Sequence, residues 1–157
     1  VDSCYNQLRK RASPSSSSLS IVSELKSGSA WYVPGGCSTI GRLFNDACGR
    51  YAFAEDKHSG SIPLAFETVF DKAGDADVWT IKYNRDRDMT YSDLKADYIG
   101  YTGFKAFKTR NIYGCNTAKV PFYEETPFLS LLADLIQILH PEIGDLGGLR
   151  YFCKLNE

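Results

Sequence analysis

Val78-Trp79-Thr80-Ile81-Lys82-Tyr83 decides how this chain is read. Trp79, Ile81 and Tyr83 alternate with Val78, Thr80 and Lys82, the period-two pattern of a strand with one face on a core. Upstream, Cys48-Gly49-Arg50-Tyr51-Ala52-Phe53-Ala54 puts Tyr51 and Phe53 on one face. Leu64, Phe66 and Phe70 are set against Ala65, Glu67 and Val69 in the same way. Lys57-His58-Ser59-Gly60, Asp71-Lys72-Ala73-Gly74-Asp75 and the charged run Asn84-Arg85-Asp86-Arg87-Asp88 read as turns between them. Downstream, segments 93–101 and 104–114 are again aromatic-rich, split by Thr102-Gly103. Strands and turns in this rhythm predict an all-β, antiparallel, up-and-down meander closing as a sandwich or barrel.

One segment breaks the rhythm. Phe128, Leu131, Leu132, Leu135, Ile136 and Leu139 fall on one helical face. Thr126 is placed to cap that helix, Pro127 suits its first position, and Glu124 and Glu125 suit its positive end. His140-Pro141 ends it. The apolar face predicts a helix packed on the outside of the sheet. At the other end, Ala12 to Ser20 is a serine-rich stretch of low complexity, so residues 1–27 read as a tail.

Composition narrows the function classes. Net charge is -1 with acids and bases interspersed, which argues against a nucleic-acid partner. No apolar run approaches the length of a membrane span. The start at Val1 fits a processed, secreted chain. Cys4, Cys37, Cys48, Cys115 and Cys153 are widely spaced and contain no Cys-x-x-Cys, so a disulfide frame is favoured over zinc. Five is odd and leaves one thiol over; the alternative is five reduced cysteines in a cytosolic protein.

No catalytic constellation stands out. His58 lies in a charged turn and His140 at a helix end, both read as surface positions. Asp86 and Asp88 read as solvated charge, and the interleaved arginines speak against calcium. Pro34-Gly35-Gly36 reads as a turn with no helix start behind it to hold phosphate. The remaining signal is aromatic: 13% of the residues are Phe, Trp or Tyr, enough to wall a pocket as well as fill a core.

Four features in order resemble the lipocalin family: Gly28-Ser29-Ala30-Trp31-Tyr32, then Asn45-Asp46-Ala47-Cys48-Gly49-Arg50-Tyr51, then Val120 to Pro127 running into the helix, then Cys153. Asp97-Tyr98 resembles part of a further family motif, and the cysteine placement is similar to insect bilin-binding lipocalins. The resemblance implies an eight-stranded barrel over 28–157 with the helix outside. It implies Trp31 on the barrel floor and bridges Cys4–Cys115 and Cys48–Cys153. Cys37 is then the odd thiol, near the open end; it stays free or buried, bridges two chains, or bonds a ligand. Inside such a barrel, Tyr51, Phe53, Phe66, Trp79, Tyr83 and Tyr98 would line a site for a small hydrophobic or tetrapyrrole ligand, with no cofactor fixed. The expectation is a secreted carrier, not an enzyme, with room for a homo-oligomer. The alternative is a secreted interaction protein, an inhibitor or extracellular ligand, with a filled core and functional loops.

Overall fold

The computed structural model describes residues 2–12, 19–119, 129–141, 143 and 148–156. Its centre is an open sheet. Strands β1 (Ser20–Ser23), β4 (Arg50–Tyr51), β6 (Val78–Tyr83), β7 (Ile112–Asn116) and β8 (Cys153–Lys154) lie in the order β4-β1-β6-β7-β8. The first four are mutually parallel and β8 is antiparallel to β7. A second, antiparallel sheet joins β2 (Lys26–Ser27), β3 (Ala30–Pro34) and β5 (Ser61–Leu64) in the order β2-β3-β5. Six helices accompany them among the described residues: α1 (Asp2–Ala12), α2 (Thr39–Asp46), α3 (Phe66–Ala73), α4 (Tyr91–Asp97), α5 (Lys105–Lys108) and α6 (Leu129–Leu139).

The all-β barrel expectation is therefore corrected to a mixed α/β architecture with a parallel sheet. The deciding stretch is a strand, as expected, but of a different kind. Val78, Trp79, Thr80 and Ile81 are all buried, so β6 is covered on both faces and Thr80 does not face water. That is the habit of a central parallel strand. The stretch set against it is a helix. Phe66, Val69, Phe70 and Ala73 recur at i, i+3, i+4 and i+7, and they lie along α3. Segment 93–101 is largely helical, in α4 and a 3₁₀ turn over Ile99–Gly103, while 104–114 carries the short α5 and then β7 from Ile112. Thr90 and Asp93 form a reciprocal capping box at the start of α4, a sequence signal of a helix start. Only Arg50–Tyr51 of the 48–54 segment is strand.

The late helix is where the periodicity puts it, as α6. Its proposed cap at Thr126 and Pro127, with Glu124 and Glu125, lies outside the described residues, as does the serine stretch 13–18. Within 1–27, α1 packs on α6 and β1 is a buried inner strand of the main sheet. His140 corrects the surface reading. It is fully buried, and its Nε2 lies 2.7 Å from the Ala47 carbonyl just past α2. Asp134 sits on the buried face of α6 because its carboxylate accepts the backbone N–H groups of Arg150, Tyr151 and Phe152 at 2.7–3.1 Å. A buried carboxylate is tolerable only with such donors.

The disulfide frame is corrected too: none of the five cysteines forms a disulfide. The barrel that would bring them together is absent. Cys4 is exposed on α1, Cys115 is buried in β7, Cys48 follows α2 and Cys153 lies exposed on β8. Burial pushes the Cys115 thiol up to about 11.

Candidate functional site

The sheet order locates the site. From β1 the chain leaves to β4 on one side, and from β6 it leaves to β7 on the other. Between the carboxyl ends of two such strands the connecting loops part, and open α/β sheets hold ligands in the crevice that results. Here that crevice measures about 340 Å³ and is lined by Glu24, Tyr32, Ser38, Thr39 and Lys82 among others. Beneath it, between Phe44, Ile81 and Leu135, only about 10 Å³ stays open, room for at most one water. The core is filled and the space lies at its edge.

Glu24 directly follows β1, with φ 76°, in the left-handed region that side chains other than glycine avoid. Three hydrogen bonds hold this turn. The Glu24 N–H donates to the Thr80 carbonyl at 2.9 Å. The Trp79 indole donates to the Glu24 carbonyl at 2.9 Å, and the Trp31 indole donates to the Ser23 carbonyl at 3.0 Å. The two rings are themselves stacked 5.8 Å apart and fully buried. A rigid aromatic block thus fixes a strained residue, and strain of this kind costs about 1–3 kcal/mol unless its surroundings over-determine it. The Glu24 carboxylate meets the Lys82 ammonium at 3.3 Å, both side chains about a quarter exposed (20% and 31%).

The opposite lip is the Pro34-Gly35-Gly36 turn. A Cβ on Gly35 would stand 2.3 Å from the His58 carbonyl oxygen, and one on Gly36 2.2 Å from that of Ala54. Backbone approaches this close admit only glycine. The Tyr51 hydroxyl donates to the Pro34 carbonyl at 2.5 Å and fixes the turn from behind. A helix does start here, which corrects the sequence reading: Ser38 caps α2, its hydroxyl accepting from the Gly41 N–H at 3.0 Å. The α2 amino end, with its partial positive charge, opens on the crevice. Tyr32 stands half-exposed on β3 at its edge.

The residues singled out from sequence fall in three other places. Trp31, Phe66, Trp79 and Tyr98 join Tyr101 and Phe104 in one ring cluster. Trp31 is buried there and not on the floor of a barrel. Tyr51 and Phe53 pack with Phe44. Tyr83 is separate, its hydroxyl accepting from the Met89 N–H at 3.0 Å. None of the six proposed ligand rings lines this crevice. Cys37 is exposed in the turn before α2. Glu24, Tyr32, Ser38 and Lys82 were not singled out; only Ser38, followed by Ile40, Leu43, Phe44 and Ala47 at helical spacing, carried a readable signal.

The charged loop after β6 is closed on itself. Asn116 bridges to the Arg85 backbone in both directions, Arg85 pairs with Asp97, Arg87 with Asp93, and Asp88 with Lys119. The hydrogen bonds from Arg87 hold the Asp93 carboxyl well below the usual range. Among the described residues, no group of three or more His, Cys, Asp and Glu is placed to hold a metal ion. At the amino end of the sheet a second cleft carries Arg50, Lys72 and Lys105 around Asp75 and Asp77.

Residues 1–118 match the family described as periplasmic binding protein. This chain belongs to that family. An uncharacterized lipoprotein of Methanocaldococcus jannaschii is 31% identical over 129 residues, covering 80% of this chain and 30% of that protein. Among solved structures, the TroA-like periplasmic binding protein FepB from Veillonella parvula superposes with a TM-score of 0.71 at 13% identity, over 99% of this chain and 54% of its own. A periplasmic heme binding protein from Pseudomonas aeruginosa gives 0.68 at 16% identity, over 98% and 54%. At these identities the structures show the fold alone. The chain spans about half the length of those structures.

Membership overturns the lipocalin resemblance and, with it, the barrel and its disulfides. The family is one of binding proteins and not of enzymes, and its description names the periplasm. Among the described residues, no helix is long and apolar enough to cross a membrane.

Proposed function

We propose that this periplasmic binding protein chain forms one wall of a solute-binding cleft for a transport system, with the solute seated between the carboxyl ends of β1 and β6. The observation that carries the reading is Glu24, a strained residue locked by two buried tryptophans at the topological switch point. Strain held in this way marks functional positions. A filled interior is consistent with a carrier here, because the solute lies at the edge of the sheet and not within it. Tyr32 offers an exposed ring face for a conjugated body. A tetrapyrrole is the ligand class we favour, supported by that ring and by the heme binding protein of the same fold.

A single wall buries less of a ligand than a closed pocket does. Titration of hemin into the purified chain, followed at its Soret band, is expected to saturate at one equivalent. The expected Kd is about 10 μM, or roughly -7 kcal/mol. Tyr32→Ala should weaken it about tenfold, the loss of one ring contact. Non-saturable binding, or binding indifferent to Tyr32, contradicts the tetrapyrrole assignment.

A further inference from the structure

His58 stands at the lip of the crevice with one ring nitrogen committed to a carboxylate and the other facing outward chemistry. We infer that His58 is the axial ligand to the iron of the tetrapyrrole, with Asp56 as the positioning residue behind it. The inference rests on the tetrapyrrole reading above and deepens it by naming the donor.

Two hydrogen bonds strap the His58 loop to the crevice wall. The Cys37 N–H donates to the His58 carbonyl at 3.1 Å, and the Gly35 N–H to the Gly60 carbonyl at 2.8 Å. Pro34, Gly60 and Ser61 line the crevice itself. His58 is two residues from Gly60, so their Cα atoms lie within about 7.6 Å. The paired glycines make this approach possible. A Cβ on Gly36 would also stand 2.4 Å from the Asp56 carbonyl oxygen, so Gly35 and Gly36 seat the backbone of both residues on the lip. The ring is then held by a side-chain bond of its own. Asp56 Oδ1 accepts the His58 backbone N–H at 2.8 Å and lies 2.7 Å from the ring Nδ1. The backbone hydrogen bond from His58, reinforced by the ring, holds the Asp56 carboxyl below its usual range. The imidazole itself is 68% exposed, open to a ligand from solvent.

An ionised carboxylate only accepts, so Nδ1 carries the ring proton and the lone pair of the neutral imidazole sits on Nε2. Metal-binding histidines are arranged in this way. Their second N–H goes to a carboxylate, which fixes the tautomer and raises the basicity of the ligating nitrogen. A tetrapyrrole supplies four nitrogens to its iron, so a single histidine can be the protein's whole contribution. A bare ion, by contrast, needs several protein ligands together. Tyr32 and His58 are also neighbours in the fold. Tyr32 lies on β3, paired with β5, and His58 precedes β5 by three residues. The ring of Tyr32 serves the macrocycle and the imidazole of His58 serves the metal.

Hemin and metal-free protoporphyrin IX separate the two contacts, because only hemin has an iron to ligate. The chain is expected to bind hemin about tenfold more tightly than protoporphyrin IX. His58→Ala should bring hemin down to the level of protoporphyrin IX, whereas Tyr32→Ala should weaken both. Imidazole added to His58→Gly should restore the hemin spectrum. In the reduced complex, resonance Raman spectroscopy should show an iron–histidine stretch. Asp56→Asn should move that stretch to lower frequency, a change that loosening of the loop alone does not produce. Saturable binding of both porphyrins with equal affinity overturns the inference and leaves the tetrapyrrole reading standing. A hemin preference that survives His58→Ala, or that disappears instead in Cys37→Ser or Tyr32→Phe, overturns it equally. If neither porphyrin saturates the chain, the tetrapyrrole reading falls and the inference falls with it.

Discussion

Glu24 shows how one residue can carry functional information that its neighbours in sequence do not reveal. Ser23-Glu24-Leu25 reads as the end of a short apolar run. Nothing in it indicates a left-handed backbone, because that conformation is imposed by Trp31 and Trp79, 7 and 55 residues away from it in sequence. Both tryptophans were legible as buried rings. Their indole donors were not, since a hydrogen-bond partner is a property of the fold. The geometry sets the sign of a stability test. At φ 76° glycine is relaxed and alanine is strained, so Glu24→Gly should be more stable than Glu24→Ala by about 1 kcal/mol in urea denaturation. The opposite order would mean that the left-handed turn is not populated in solution.

At the scale of elements, the misreadings share a cause. Leu64, Phe66 and Phe70 fit a period of two only because Val69 and Ala73 were left out of the face; all four of Phe66, Val69, Phe70 and Ala73 fit 3.6. Short apolar runs satisfy either period, and flanking caps must decide, as the Thr90–Asp93 box does for α4. Conversely, β6 and α6 were legible because their patterns are long enough to exclude the alternative. How β1 and β6 are joined at their amino ends is a tertiary matter. Asp77, just before β6, accepts from the Ser20 N–H and hydroxyl at the start of β1, and from Lys105. Partial burial raises the Asp77 carboxyl, but the hydrogen bonds from Lys105 and Ser20 outweigh it and hold the group below the usual range. A carboxyl depressed in the folded state contributes stability above its unfolded pKa and loses it as pH falls toward the folded value. Asp77→Asn should therefore lower stability near neutral pH and flatten its decline below about pH 4. Parallel wild-type and variant curves across the acid range would remove this role.

For the whole molecule, the cysteines tempted the sequence reading furthest from the structure. Wide spacing without Cys-x-x-Cys suggests a disulfide frame, and such a frame suits a closed barrel. Spacing along the chain does not determine distance in space, and a βαβ crossover separates residues that a meander would bring together. With no disulfide among the five cysteines, the melting temperature should not change on adding reductant. In the native state Cys4, Cys37 and Cys153 should alkylate readily. Cys115, fully buried with its thiol pushed up to about 11, should react only after unfolding. A reductant-sensitive melt, or fewer than five alkylatable cysteines in denaturant without reductant, would restore a bridge.

The central claim is that the solute sits at the carboxyl edge of the parallel sheet. Hemin iron is paramagnetic and broadens nearby NMR signals, so amide spectra of the chain with sub-stoichiometric hemin test the claim most directly. The predicted result is selective loss of signals from Glu24, Leu25, Tyr32, Thr39 and Lys82 around the crevice. Signals from Ser20, Arg50, Asp77 and Lys105, at the amino-edge cleft, should persist. Broadening centred on the amino edge, or spread evenly over the chain, would contradict the account.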